Sequence, residues 1–299
     1  MSLRRPLAVF LSLALCSTGA LAQGDYSKVQ VTTEKLSSNT YMLTGAGGNL
    51  GLSVGEDAIF LIDDQFGPMT PKLQAAIAAI SKKPIRFLLN THWHFDHTGG
   101  NENFGKAGAL IVAHENVRKR MSSDQTIEFM NMPIKASPKV ALPVVTFSND
   151  ISFQLNGENL YVFHVPNGHT DGDAIVHFKT SNVVHMGDIY FNKIYPFIDT
   201  SSGGTPEGIV AAVDRVLALT NESTRFIPGH GPLGTRADLV AYRAMVDSVS
   251  TRVKTLAREG KTLAQVQDAK PTAEFDAVWG GGFLPGPQFV EMLYKGIKR

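Results

Sequence analysis

Cysteine is nearly missing from this chain: Cys16 is the only one in 299 residues. That excludes a disulfide framework and a metal centre built on thiolates. Net charge is almost absent too, at +1 from 28 basic and 27 acidic side chains. A balance so near neutral gives no electrostatic footprint for nucleic acid. No internal repeat and no low-complexity linker interrupts the sequence. One apolar run stands out, Leu7 to Leu15, with Arg4 and Arg5 before it and Ala20-Leu21-Ala22 after it. It is too short to span a bilayer. Its order of charge, apolar stretch and small residues reads as a secretory signal peptide over residues 1–22, cut between Ala22 and Gln23. Lipid attachment at Cys16 competes, but the preceding Leu13-Ala14-Leu15 has a bulky residue where a small one is wanted. The expectation is a mature hydrolase domain over residues 23–299, periplasmic or secreted, with no cysteine and no integral membrane segment. Any metal site in it must use His, Asp, Glu and water.

What the chain does have is a crowded hexapeptide, His92-Trp93-His94-Phe95-Asp96-His97. It follows Ile85–Asn90, an apolar run that reads as a buried strand. In extended backbone His92, His94 and Asp96 leave the strand end on one side. His97 faces elsewhere only if the chain turns, and Thr98-Gly99-Gly100 is expected to supply that turn. Four metal-competent groups at such a junction suit two adjacent metals better than one.

Along the chain, strands are expected at Val29–Val31, Thr40–Leu43, Leu50–Val54 and Ala58–Ile62, the last ending on Asp63-Asp64. Thr70-Pro71 reads as a helix start with Thr70 as the cap, and Lys82-Lys83-Pro84 as its stop. Another strand, Ala109–Val112, precedes a helix from His114 to Met121. Residues 122–143 have a weak pattern and read as a mobile loop near a site. Ile151–Leu155 and Leu160–Phe163 form a hairpin through Asn156-Gly157. Ala174–Phe178 and Val183–Met186 make a second strand pair. Helices are expected after Thr205-Pro206 and after Thr235, the second with Asp238 three residues on, and a short strand at Arg225–Ile227. Strands in two blocks, each followed by helix, point to two mixed sheets face to face with helices outside.

The polar residues that follow apolar runs form a set: Asp63, His92, His94, Asp96, His97, His169, Asp188 and His230. Five of the nine histidines are in it. His177 and His185 sit inside strand patterns and read as structural, and packing is the better role for His164. Asp171 and Asp173 read as loop formers. Trp93, Phe66, Phe95, Tyr190, Tyr195 and Phe197 are candidates for an apolar substrate cleft, and Lys193 for a substrate carboxylate.

Asp63 after a strand, His92-x-His94-x-Asp96-His97, Gly168-His169-Thr170, Gly187-Asp188 and Pro228-Gly229-His230-Gly231 together resemble the metallo-β-lactamase superfamily. The resemblance covers essentially the whole chain after the signal segment. It implies a four-layer αββα sandwich with a metal site between its sheets. It further implies two Zn²⁺ per chain: one held by His92, His94 and His169, the second by Asp96, His97 and His230, with Asp188 and a water or hydroxide bridging them. Asp63 would fix a ligand's orientation, and Asp96 would also orient the nucleophile and relay a proton. These residue types suit zinc, and a water between two zincs ionises near neutral pH and can attack a carbonyl. Asp188 stands where β-lactamases proper usually carry Cys or Ser, as in the glyoxalase II-like members. The expected function is cleavage of an amide or ester in a small acyl substrate, β-lactam- or lactone-like. A glyoxalase II-like thioesterase and a non-catalytic auxiliary periplasmic metal protein are the alternatives.

Overall fold

Alternation along single strands shows how the layers are built. The structure is a computed structural model and describes residues 25–297. In β4 (Ile59–Ile62), Phe60 and Ile62 face one core cluster while Ile59 and Leu61 face another. Strand β5 (Ile85–Leu89) repeats this, with Phe87 and Leu89 to the first cluster and Leu88 to the second. Successive side chains of a strand point to opposite faces, so both faces of this sheet are covered.

The first sheet has seven strands in the order β1-β2-β3-β4-β5-β6-β9: β1 (Thr32–Lys35), β2 (Thr40–Thr44), β3 (Leu50–Val54), β4, β5, β6 (Leu110–His114) and β9 (Val145–Phe147). Pairing is antiparallel as far as β4 and parallel from β4 to β9. The second sheet runs β10 (Asp150–Leu155), β11 (Glu158–His164), β12 (Ala174–Phe178), β13 (Val183–His185) and β14 (Arg225–Ile227), with only β13–β14 parallel. Leu160, Val162, Ala174, Val176 and Phe178 of this sheet meet Phe60, Ile62, Leu89 and Val112 of the first. That shared cluster is the inter-sheet core.

Helices close both outer faces. Leu73 and Ile77 of α1 (Thr70–Ile80) and Phe104 of α3 (Asn101–Lys106) pack on the first sheet. Ile209, Val213 and Val216 of α5 (Pro206–Leu219), and Leu239, Tyr242, Val246, Val249 and Val253 of α6 (Arg236–Arg258), pack on the second with α9 (Gly286–Ile297). The result is the αββα sandwich. Short helices α2 (Phe95–Thr98), α4 (Glu115–Met121), α7 (Leu263–Asp268) and α8 (Asp276–Trp279) complete the set. Among the described residues, no helix is long and apolar enough to cross a membrane.

Several expectations are corrected. The first strand begins at Thr32, not Val29, because the carbonyls of Tyr26, Ser27 and Val29 are bound by Lys72 Nζ rather than by a neighbouring strand. Thr70 does not cap α1: a 3-10 turn over Gly67–Met69 runs into the helix, leaving Thr70 inside it. Residues 122–143 are a built segment rather than a bare loop. They hold the ribbon β7 (Gln125–Ile127) and β8 (Met132–Ile134), turned through Asn131 at φ 50°. Strand β9 follows at once, three residues too short to show a period. The turn inside the hexapeptide starts at Phe95, before the glycines, since α2 already contains Asp96 and His97. Gly99 and Gly100 have ordinary helical angles. Glycine is needed there for close approach, as a Cβ on Gly99 would lie 2.8 Å from the Gln65 carbonyl oxygen and one on Gly100 2.9 Å from Asp64. The expected signal segment, residues 1–22 with Cys16, lies outside the described residues.

Thr235 caps α6 through a reciprocal pair: its side chain accepts from Asp238 N while Asp238 Oδ2 accepts from Thr235 N. Removing such a cap costs about 1 kcal/mol. Thr235→Ala is therefore expected to lower the free energy of unfolding by that amount, read as a lower midpoint in a urea titration followed by circular dichroism.

Candidate metal centre

The site is assembled from the loops at one edge of both sheets. Asp63 ends β4, the hexapeptide follows β5, His169 lies between β11 and β12, Asp188 follows β13 and His230 follows β14. Two cross-links hold these loops together. Ala174 N donates to Thr91 O at 2.8 Å, joining the sheets beside the hexapeptide. Asn49 Nδ2 donates to the carbonyls of Pro228 and Gly231, at 3.0 and 2.9 Å, and Asn49 O accepts from His185 Nε2 at 3.0 Å. His185 is thus a structural histidine.

Two groups of side chains converge. His92, His94, His169 and Asp188 form one, and Asp96, His97 and His230 the other; within each group, potential ligand atoms lie within 4.8 Å of one another. The one-turn helix α2 makes the division. His94 is still extended as its N-cap, while Asp96 and His97 are carried around the turn. Asp188 stands between the groups. Its Oδ2 is 3.8, 3.6 and 3.5 Å from Nε2 of His92, His169 and His230, and its Oδ1 is 3.0 Å from Nε2 of His97. Asp96 Oδ2 is 3.3 Å from His230 Nε2.

Four of the five imidazoles are held from behind. His97 Nδ1 donates to Asp63 Oδ2 at 2.8 Å, and Asp63 also accepts from Thr91 N and Oγ1. Asp63 does this from a left-handed backbone, φ 59°, which is costly for a residue other than glycine. His169 Nδ1 donates to Phe197 O at 2.8 Å, and His92 Nδ1 lies 3.1 Å from Thr91 Oγ1. With Nδ1 occupied, Nε2 of all three points inward. His94 is the reverse: its Nε2 donates to Asp199 Oδ2 at 3.1 Å and its Nδ1 faces His169 Nε2 at 2.8 Å.

The donor set fits a metal. His92 Nε2 is buried without a hydrogen-bond partner, an expense of about 1–3 kcal/mol that a cation would remove. Atoms bound at about 2.0–2.1 Å to one zinc at tetrahedral angles stand about 3.3–3.4 Å apart, close to the spacings around Asp188. Protonation differs between the groups. Burial, reinforced by His97, lowers His92, and burial lowers His169 to about 4, so both are neutral at pH 7. Burial opposes the cation at His97 and His230 as well, but Asp188 and Asp96 outweigh it, raising His97 and taking His230 up to about 9.

Asp199 was missed from the sequence. Buried, it accepts from Ser201 N and Ser202 N and from both serine hydroxyls, with its other bond to His94. Asp-Thr-Ser-Ser reads as an ordinary turn, and nothing in it announces a partner 105 residues away. Among the candidate substrate residues, Trp93 and Tyr195 are corrected. Both are core, 2% and 0% exposed, and the Tyr195 hydroxyl is bound to Asp276 Oδ1. Tyr190 and Phe197 are buried likewise. Lys193 Nζ is paired with Asp238 Oδ1 at 2.7 Å. Phe66 and Phe95 are half-buried. His164 stacks on His114 and, with Asp173, serves packing and loop bonds. Asp171 holds Arg120.

The family model of the metallo-beta-lactamase superfamily matches residues 36–236. The chain belongs to that superfamily. Curated relatives are the hydroxyacylglutathione hydrolases of Maricaulis maris, 28% identical over 56% of this chain and 61% of that protein, and of Pelagibacter ubique, 26% over 49% and 52%. The chain thus spans about half to three-fifths of the length of these relatives. Similar folds are a metallo-beta-lactamase from Pontibacter korlensis, TM-score 0.60 at 21% identity over 73% of this chain and 99% of that one, and a sec-alkylsulfatase from Pseudomonas sp., TM-score 0.65 at 17% over 89% and 50%.

Two outcomes are expected for this superfamily member. Zinc entering the Asp96–His97–His230 group at pH 7 must displace the protons that His97 and His230 carry, so its affinity falls as pH drops below about 9. The His92–His94–His169 group lacks that penalty at His92 and His169 and should fill first in mild acid. Calorimetric titrations at pH 6 and 8, in buffers of different ionisation heat, would show proton release with the second equivalent. Asp199→Ala should weaken zinc binding roughly 10–100-fold, measured by competition with a chelator.

Proposed function

We propose that this chain is a di-zinc hydrolase, exported from the cytoplasm, that cleaves the acyl bond of a β-lactam- or lactone-like substrate. The observation that carries the reading is Asp188, a buried carboxylate within 3.8 Å of imidazole nitrogens from both groups. A single carboxylate so placed can be shared by two cations. When bound, two zinc ions would polarise a carbonyl and acidify a water. The chain's own residues supply the rest. His92, His94, His169, His97 and His230, with Asp188, fix the ligand geometry. Asp63 and Asp199 hold His97 and His94 from behind, so the site is set before substrate arrives.

Asp96 is the residue suited to move a proton. Its side chain and that of His230 are 20% and 24% exposed, whereas His92, His94, His97, His169 and Asp188 are buried. The open side of the site is therefore the Asp96–His230 side. There Asp96 can orient an attacking water, accept its proton and pass it to the leaving group. A second reading, thioester hydrolysis, is favoured by the similarity to two hydroxyacylglutathione hydrolases and by an aspartate at position 188.

Steady-state assays on zinc-restored protein with a cephalosporin, a lactone and an acylglutathione separate these. Turnover of either of the first two supports the leading reading. Turnover of the acylglutathione alone transfers the conclusion to the thioesterase, and no turnover of any sinks both. Asp96→Asn should lower kcat/KM by roughly 10²–10⁴-fold on whichever substrate is cleaved.

A further inference from the structure

A row of aromatic rings, packed only at the margins of the cores, runs from the N-terminal segment to Phe95, the residue before Asp96. Tyr26 stacks on Phe66, ring centroids 5.3 Å apart and planes 27° apart, and Phe66 meets Phe95 at 5.8 Å and 38°. All three are half-buried. Tyr26 and Phe66 pack at the margin of the core under α1, while Phe95 packs at the margin of the cluster behind the second sheet. The row therefore joins the margins of two cores. Phe95 precedes Asp96 in α2, so the row ends beside the most accessible carboxylate of the site. Burial first, then the Asp96 charge, raises the Tyr26 hydroxyl above the ordinary phenol range.

Tyr26 is held there by an unusual use of a lysine. Lys72, in the first turn of α1, spends its donors on the carbonyls of Tyr26, Ser27 and Val29, at 2.6, 2.7 and 2.7 Å. An ammonium has three donors, and all three go to one four-residue stretch. Val29 N closes that stretch by donating to Tyr26 O at 3.1 Å. The segment gains no sheet bonds here, since pairing starts at Thr32. What the clamp fixes is the position of the Tyr26 ring over Phe66.

We propose that Tyr26, Phe66 and Phe95 form a subsite for a flat apolar group, such as a phenyl ring, on the acyl portion of the substrate, and that Lys72 positions Tyr26 in it. This rests on the hydrolase reading and adds the class of acyl group preferred. Partly buried rings gain by covering a flat apolar group, through burial and offset stacking.

The test uses the full zinc-loaded chain and two independent readouts. The first is KM for a phenylacetyl substrate against its acetyl counterpart, with the same leaving group. The second is equilibrium binding of phenylacetate against acetate, followed by NMR line broadening, which needs no turnover. Tyr26→Ala should lower the preference for the phenyl compound roughly three- to tenfold in both, the scale of one aromatic contact. Tyr26→Phe, which keeps the ring, should retain it. Lys72→Met, which leaves all three rings intact, should lose part of it. A thermal melt of each variant shows whether it folds, and Lys72→Met carries the test if Tyr26→Ala does not. An unchanged preference in folded Tyr26→Ala, or in folded Lys72→Met where that variant stands in, overturns the subsite. A Tyr26-dependent preference for phenylacetate without hydrolysis of any substrate upholds the subsite and overturns the hydrolase reading.

Discussion

The constraint on which the rest depends is the burial of Asp188 among imidazoles. A carboxylate removed from water needs positive charge around it. Here it is surrounded by nitrogen atoms of His92, His97, His169 and His230, and protons on two of them supply that charge. The same geometry serves a pair of cations, which would exchange places with those protons. The centre is thus built on charge compensation that a proton or a metal can satisfy, and each nitrogen must be aimed to within a few tenths of an ångström for either to work.

That aim is enforced by residues outside the two groups. Asp63 adopts a left-handed backbone to reach both Thr91 and His97. Asp199 is tied by two backbone amides and two serines before it meets His94. Asn49 bridges the loop between β2 and β3 to the loop carrying His230. The Asp199 and Asn49 bonds join loops from opposite sheets, while Asp63 ties neighbouring loops of the first. The stiffness of the sandwich core is thereby passed to the site, a rigid scaffold presenting functional loops. The side left less closed carries Asp96 and His230.

Much of the fold was legible because its strands are short apolar runs ended by turn residues. Asn156-Gly157 marked its hairpin, and Thr235 with Asp238 marked the long helix as a local capping pattern. Where local signals failed, a distant partner had won. Lys72 withdrew the carbonyls around Val29 from strand pairing, and a 3-10 turn took the cap position from Thr70. Three-residue strands such as β9 are set by pairing with β6, which no periodicity reveals. Among the candidate substrate aromatics, Trp93, Tyr190, Tyr195 and Phe197 proved to be core, because a strand-end aromatic looks the same in sequence whether it turns inward or lines a cleft.

The sequence by itself determined the chemistry of the centre: imidazoles and carboxylates without thiols, each set after an apolar run where a loop must leave a sheet. It also determined the layer order, because strand blocks and helix blocks alternate along the chain. Only the tertiary structure decided which nitrogen of each histidine faces inward, that a single helical turn parts His94 from Asp96, and that Asp199 joins the site. Those outcomes depend on hydrogen bonds and ring contacts between residues tens to hundreds of positions apart. Local propensity carries no record of such partners, since they become neighbours only when two sheets close on one core.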